Sequence, residues 1–159
     1  MDGPGEVRAM SPEPEATGGE QERLGRAIDL AVGARASAYA RYSRFAMGAA
    51  VVGVDGRTTR GVLVENVSLG LSMCAERVAL FNAVTEAIAP VVLAVCAPRT
   101  GGQLTFPCGA CLQVGLEIAG SDLLVVAVDP NGVHEAAQLA TLLTRAPKRH
   151  TPITGPGAV

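Results

Sequence analysis

Two uninterrupted apolar runs, residues 91–97 (VVLAVCA) and 123–128 (LLVVAV), constrain the fold more than any other feature. Both fall far short of the about 18 apolar residues a membrane helix needs, and both suit buried strands. The segments around them carry different periods. Residues 21–40 place Leu24, Ile28, Ala31 and Ala38 at helical spacing, which predicts an amphipathic helix. Residues 49–54 and 62–65 flank Asp55-Gly56 and read as a β-hairpin. Residues 75–88 predict a mostly apolar helix, buried on most sides and ended by Pro90. Residues 109–119 predict a helix closed by Gly120. Asn131-Gly132 signals a turn into a short strand at 133–136 and a last helix at 138–143. Strands alternating with helices after a hairpin predict an α/β layered domain with a mixed sheet.

A length of 159 residues accommodates one domain. Its expected extent is residues 21–146, between flexible tails at 1–20 and 147–159 rich in Gly and Pro. Aromatic residues make up 3% of the chain with no Trp, so the core must come from Val, Leu, Ile and Ala. A formal net charge of −2 gives no electrostatic pull toward a nucleic-acid backbone or an anionic membrane, so neither is expected as a partner. Scarce aromatics also argue against a base-stacking surface. The first residues carry no basic stretch followed by an apolar one, so no secretory signal is read there and the cytoplasm is the expected compartment. In that compartment four cysteines point to metal or catalysis rather than to disulfides.

Three blocks carry the chemistry. Cys74-Ala75-Glu76-Arg77 and Pro107-Cys108-Gly109-Ala110-Cys111 each fall at a strand-to-helix junction, and Val64-Glu65-Asn66 closes the hairpin. A lone C-x-x-C is ambiguous between half a zinc ribbon and a redox pair. Cys74 is the cysteine positioned to join Cys108 and Cys111, since Cys96 lies inside an apolar strand and reads as a buried thiol. His134 and His150 fall in a turn and a tail and are poor ligand candidates. Three thiolates leave one position of a tetrahedral zinc open, as catalysis requires. Helix N-termini stabilise thiolates. Arg77, one turn along, is placed to donate to a thiolate and offset the excess negative charge. Glu76, two residues from a ligand, is placed beside the open position without ligating, as a proton acceptor and donor.

These blocks resemble the zinc-dependent cytidine deaminases of the small type with three cysteine ligands. Two further stretches extend the likeness. Tyr42-Ser43-Arg44-Phe45-Ala46-Met47-Gly48-Ala49-Ala50 is similar to the family's YSxFxVGAA block, and residues 61–70 (GVLVENVSLG) are similar to its GxNxENxSYG block. The resemblance implies a three-layer α/β fold with a five-stranded mixed sheet flanked by helices. It implies a Zn²⁺ cofactor on Cys74, Cys108 and Cys111, and a catalytic Glu76. Phe45 would lie against the pyrimidine ring, the Ala75 backbone N–H would hold the ring carbonyl, and Glu65 would bind a sugar hydroxyl. It also implies a homotetramer and no organic cofactor. The reaction implied is hydrolytic release of ammonia from a cytidine-like nucleoside or related amino-heterocycle, through zinc-activated water and a Glu76 proton shuttle.

Four positions depart from the family pattern. Leu63 replaces an Asn that holds the ribose, Leu69 replaces a Tyr contributed to a neighbour's sugar site, Leu112 replaces an Arg, and the LLPxxF ending gives way to Thr144-Arg145-Ala146 after Leu142-Leu143. Two apolar replacements thus fall on the sugar side while the zinc side is intact, which predicts an active deaminating centre with a remodelled substrate pocket. An ordinary cytidine/deoxycytidine deaminase of pyrimidine salvage is the alternative. A structural zinc module, a nucleic-acid deaminase and a redox C-x-x-C protein are weaker ones. They lack, respectively, a fourth protein ligand, a basic channel, and a use for Cys74 and Glu76.

Overall fold

The computed structural model describes residues 18–147. Its order is α1 (Gly18–Ala34), β1 (Gly48–Gly53), β2 (Thr58–Val62), α2 (Ala75–Thr85), β3 (Pro90–Cys96), α3 (Gly109–Ala119), β4 (Leu124–Val128), β5 (His134–Gln138) and α4 (Leu139–Leu142). Short 3₁₀ turns lie at Arg35–Ser37 and Leu69–Leu71. One sheet has the order β2-β1-β3-β4-β5. β3 and β4 pair in parallel, and the other neighbours are antiparallel. The parallel pair requires a crossover, which α3 supplies.

The β1 and β3 side chains alternate between two cores. Ala49, Val51 and Leu93 pack with Ala79, Leu80 and Leu112 under α2 and α3. Ala50, Val52, Val92 and Ala94 pack on Ala27 and Ala31 of α1. The result is the expected three-layer arrangement around a five-stranded mixed sheet. Small residues permit its thinness. A Cβ at Gly48 would stand 2.3 Å from the backbone nitrogen of Arg35, so glycine lets the end of α1 rest on β1. No described helix is long and apolar enough to cross a membrane.

Several boundaries differ from expectation. Helix α1 begins at Gly18, inside the expected tail, and ends at Ala34; Ala38 is extended. The hairpin's second strand is Thr58–Val62 rather than 62–65, because the turn is tight: the Arg57 N–H donates to Asp55 Oδ1 at 3.0 Å, and Gly56 adopts φ +80°. Helix α2 stops at Thr85 before Pro90 acts, in a cap where the N–H of Ile88 reaches Ala83 O at 2.8 Å and Ala87 takes φ +51°. Nor is α2 buried on most sides, since Phe81 and Val84 are exposed. The remainder of the expected tails, residues 1–17 and 148–159 with His150, lies outside the described residues.

Candidate metal centre and active site

Two helix N-termini converge at the site. Cys74 caps α2 and Cys108 caps α3, both in extended conformation, and Cys111 follows in the first turn of α3. Neither cap side chain bonds its helix, which leaves the thiols free to face one another. The sulfurs of Cys74, Cys108 and Cys111 all lie within 4.8 Å of one another, the one such group of possible ligands among the described residues. Cys108 Sγ stands 3.6 Å from Cys111 Sγ. Cys96 is buried in β3, and His134 is exposed on β5 with Nδ1 near Gly132 O; neither joins the cluster.

Arg77 Nη2 donates to Cys74 Sγ at 3.6 Å, while its Nε is buried without a partner. The Cys111 thiol and then Arg77 pull the Cys74 thiol down to about 5, and Cys111 is pushed up in return. Glu76 is 1% exposed, and its Oε2 has no hydrogen-bond partner. Burial pushes its carboxyl up to about 7, with the neighbouring Cys74 charge adding to the rise. Leaving a buried carboxylate oxygen unpartnered is costly, so the site is shaped for a polar occupant.

That observation and the donor chemistry fit zinc. Three soft thiolates suit Zn²⁺, and tetrahedral Zn–S bonds of about 2.3 Å keep sulfurs about 3.8 Å apart, within the spread observed.

The residues expected on the substrate side are held by a separate network. Backbone bonds run from Tyr39 N to Leu63 O at 2.8 Å and from Glu65 N to Tyr39 O at 2.9 Å. The Glu65 carboxylate accepts from the N–H of Tyr42 at 2.7 Å, from the N–H of Ser43 at 3.3 Å and from the Ser43 hydroxyl. These donors hold its carboxyl below the usual carboxylate range, with Ser43 the largest cause. The N–H of Phe45 donates to Ser43 Oγ at 2.9 Å, so Ser43 links Glu65 to half-buried Phe45. Sequence reasoning assigned Ser43 no role; its signal is a serine two residues ahead of the backbone group it binds. Thr59 and Gly61 of β2 face α2, with Thr59 Oγ1 donating to Ala79 O at 2.8 Å. The Leu63 N–H bonds Met47 O at 3.0 Å, continuing the ladder, so strand alternation puts half-buried Leu63 on the α2 side. Leu69 begins a 3₁₀ turn and is 83% exposed. Leu112 packs in the core under α3.

A three-layer α/β domain with three cysteines and a buried glutamate at two helix starts defines a zinc-dependent hydrolase of the deaminase class. The family model described as "Cytidine and deoxycytidylate deaminase zinc-binding region" matches residues 21–127, and the chain belongs to that family. It is 40% identical over 119 residues to a cytidine deaminase of Halalkalibacterium halodurans, covering 75% of this chain and 89% of that protein. It is 47% identical over 92 residues to one of Mycobacterium tuberculosis, covering 58% and 68%. Among solved structures, the cytidine deaminase of Burkholderia pseudomallei superposes with a TM-score of 0.71 at 40% identity, over 77% of this chain and 97% of that one. That of Mycobacterium tuberculosis gives a TM-score of 0.66 at 38% identity, over 77% and 95%.

Proposed function

We propose that the chain hydrolytically deaminates a cytidine-like nucleoside or a related amino-heterocycle. The observation that carries this is the buried, unpartnered Glu76 oxygen beside three mutually close thiols. Cys74, Cys108 and Cys111 hold the zinc, and zinc bound there supplies a Lewis acid that makes water a competent nucleophile at neutral pH. Glu76 takes a proton from the attacking water and passes it to the ring nitrogen. Carbon–oxygen bond formation at the amine-bearing carbon gives a tetrahedral intermediate. Glu76 then carries the second water proton to the amino group, the carbon–nitrogen bond breaks, and ammonia leaves behind a ring carbonyl. Phe45 lies against the ring, and the Ala75 N–H holds the existing carbonyl. Glu65 accepts from a sugar hydroxyl: a carboxylate has about four acceptor positions, and three internal donors leave one for substrate. Arg77 offsets the charge of the thiolates.

Cytidine and deoxycytidine are the first substrates to examine, since the curated relatives named above are cytidine deaminases. Leu63 and Leu69 support a narrower variant in which the sugar side has been remodelled toward a modified nucleoside or a substrate with less sugar character. Self-association is supported by the exposed Val67, Leu69 and Leu71 between β2 and α2 and by Phe81 and Val84 on α2; the tetramer itself is what the family resemblance implies. The cytoplasm, where thiols stay reduced, suits the cluster.

Ammonia release from cytidine by zinc-replete protein, with Glu76→Gln as the blank, tests the activity. Rapid release that vanishes in the blank supports ordinary cytidine deamination. No release from folded, zinc-loaded protein moves the substrate to other amino-heterocycles. Glu76→Gln retaining activity within about tenfold would overturn the proton-shuttle role.

A further inference from the structure

The connection from β3 to α3, residues 97–108, delivers Cys108 and Cys111 to the site, and it is tied to the C-terminal end of the neighbouring parallel strand β4 through one ion pair. Asp129 follows β4, and its side chain is 4% exposed. Its Oδ2 accepts from Arg99 Nε at 2.8 Å, while Oδ1 accepts from the N–H groups of Asn131 and Val133 at 2.9 and 3.1 Å. Arg99 Nη1 also donates to Gly102 O at 3.1 Å, folding the start of the connection on itself. Thr100 and Gln103 exchange backbone hydrogen bonds at 3.0 Å. Thr105 Oγ1 reaches Pro98 O at 2.6 Å and Thr100 Oγ1 at 2.9 Å, so the end of the connection is fastened to its beginning. Phe106 then packs into the core under α2 and α3, Pro107 is buried, and Cys108 follows. A contiguous path thus runs from Asp129 through Arg99, Pro98 and Thr105 to the cysteine pair.

We infer that Asp129 and Arg99 are positioning residues for the metal centre, holding the Cys108–Cys111 arm at the separation from Cys74 that closes the site. This rests on the three cysteines being the zinc ligands. A carboxylate with most of its surface covered, satisfied by two turn N–H groups and one guanidinium, is a fixed anchor. A half-exposed arginine that grips both the anchor and Gly102 O transmits that fixity to the loop. The side-chain hydrogen bonds of the pair join the two residues to each other, to Gly102 O and to the N–H groups of Asn131 and Val133; among the described residues, none reaches a cysteine of the cluster or Glu76.

The test is zinc release from the purified, zinc-loaded protein to a chromogenic chelator, well below the melting temperature. Asp129→Asn keeps an oxygen for the turn N–H groups and removes the charge; Arg99→Gln removes the fork. Each variant is expected to release zinc about tenfold faster than wild type, the scale seen when groups supporting a metal ligand are lost. The double variant is expected to be no faster than the singles, since the pair acts as one unit. Arg99→Lys, which cannot grip both partners, is expected to fall between. Val52→Ala, which loosens the opposite core, controls for general destabilisation and is expected to release zinc at the wild-type rate. Cobalt-substituted protein adds a readout of ligand geometry: its thiolate and d–d bands are expected to shift in Asp129→Asn and not in Val52→Ala. Release rates and spectra in the pair variants that match those of Val52→Ala would overturn the inference. Wild-type protein that takes up no zinc, or Cys74→Ser that retains it as wild type does, would instead overturn the ligand assignment beneath it.

Discussion

Arg77 Nη2 stands 3.6 Å from Cys74 Sγ, both at the start of α2, one turn apart. The guanidinium therefore meets the thiolate over which the helix N-terminus already places its partial positive charge. Replacing it by Gln or Met should leave zinc bound but lower kcat/KM for the accepted substrate by about tenfold to a hundredfold, as loss of groups around a metal ligand does. Zinc content by elemental analysis and steady-state kinetics check this together. Wild-type kinetics in Arg77→Met would reduce Arg77 to a packing residue.

Gly61 seats α2 on β2. A Cβ there would fall 2.2 Å from Ala75 O and 2.4 Å from Ala79 N, both backbone atoms that cannot swing aside. Gly61→Ala should push the first turn of α2 outward, costing about 1–3 kcal/mol of stability and displacing Glu76. Gly25, in the interior of α1 with nothing within 4 Å of its missing Cβ, should behave oppositely. Gly25→Ala should stabilise by about 0.5–1 kcal/mol. Urea denaturation of both variants, with turnover for Gly61→Ala, checks the contrast.

The end of α2 stores some strain. Ala87 holds φ +51° in the left-handed region to close the helix, and Arg57 from the hairpin turn donates to the carbonyls of Glu86 and Ala87 at 3.0 and 2.9 Å. Ala87→Gly should stabilise the protein by about 1 kcal/mol, because glycine takes that conformation without a Cβ clash. An unchanged or lower urea midpoint would mean that the cap is not strained.

Acid stability should depend on Asp129. The Arg99 hydrogen bond, and behind it the N–H groups of Asn131 and Val133, hold its carboxyl below the ordinary value of 3.8. The folded state therefore binds this proton less readily than the unfolded chain. The stability it contributes is fully present above the ordinary value and is lost as pH falls through the lower folded one. The stability difference between wild type and Asp129→Asn should stay constant near neutrality and shrink below about pH 4. Urea melts across the acid range measure it; a difference that persists to the lowest pH would show that the charge is irrelevant.

Leu63 tests the sugar side. Leu63→Asn would offer a donor and an acceptor on the α2 face of the strand, next to the start of the helix. If the pocket still receives a ribose, use of ribonucleosides should improve by about tenfold, the kinetic equivalent of one buried hydroxyl satisfied. No gain, or a loss, would mean the pocket has diverged beyond that one position.

Much of this was legible in the chain. Local patterns are enough for the ends of α3, for β4 to within a residue, and for choosing Cys74, Cys108 and Cys111 as the candidate ligands. Each depends on neighbours in sequence: apolar runs, a closing Gly120, cysteines at predicted helix starts. The blocks at 74–77 and 107–111, supported by those at 42–50 and 61–70, resembled a known family closely enough to name its fold and metal.

What the chain alone left open depends on atoms far apart in sequence. The hairpin's second strand moved to Thr58–Val62 because Asp55 and Arg57 close a tight turn and β1 selects the register. The outward face of α2, with Phe81 and Val84, followed from which side the sheet took, and periodicity in a mostly apolar helix does not specify that. Ser43 on Glu65, and Arg99 on Asp129, join residues 22 and 30 positions apart. Sequence by itself determined the donor set and the helix starts that carry it, because those are matters of composition and local dihedral preference. Tertiary structure alone decided that the three sulfurs meet and that Glu76 is sealed beside them, because burial and hydrogen-bond satisfaction exist only once distant segments pack together.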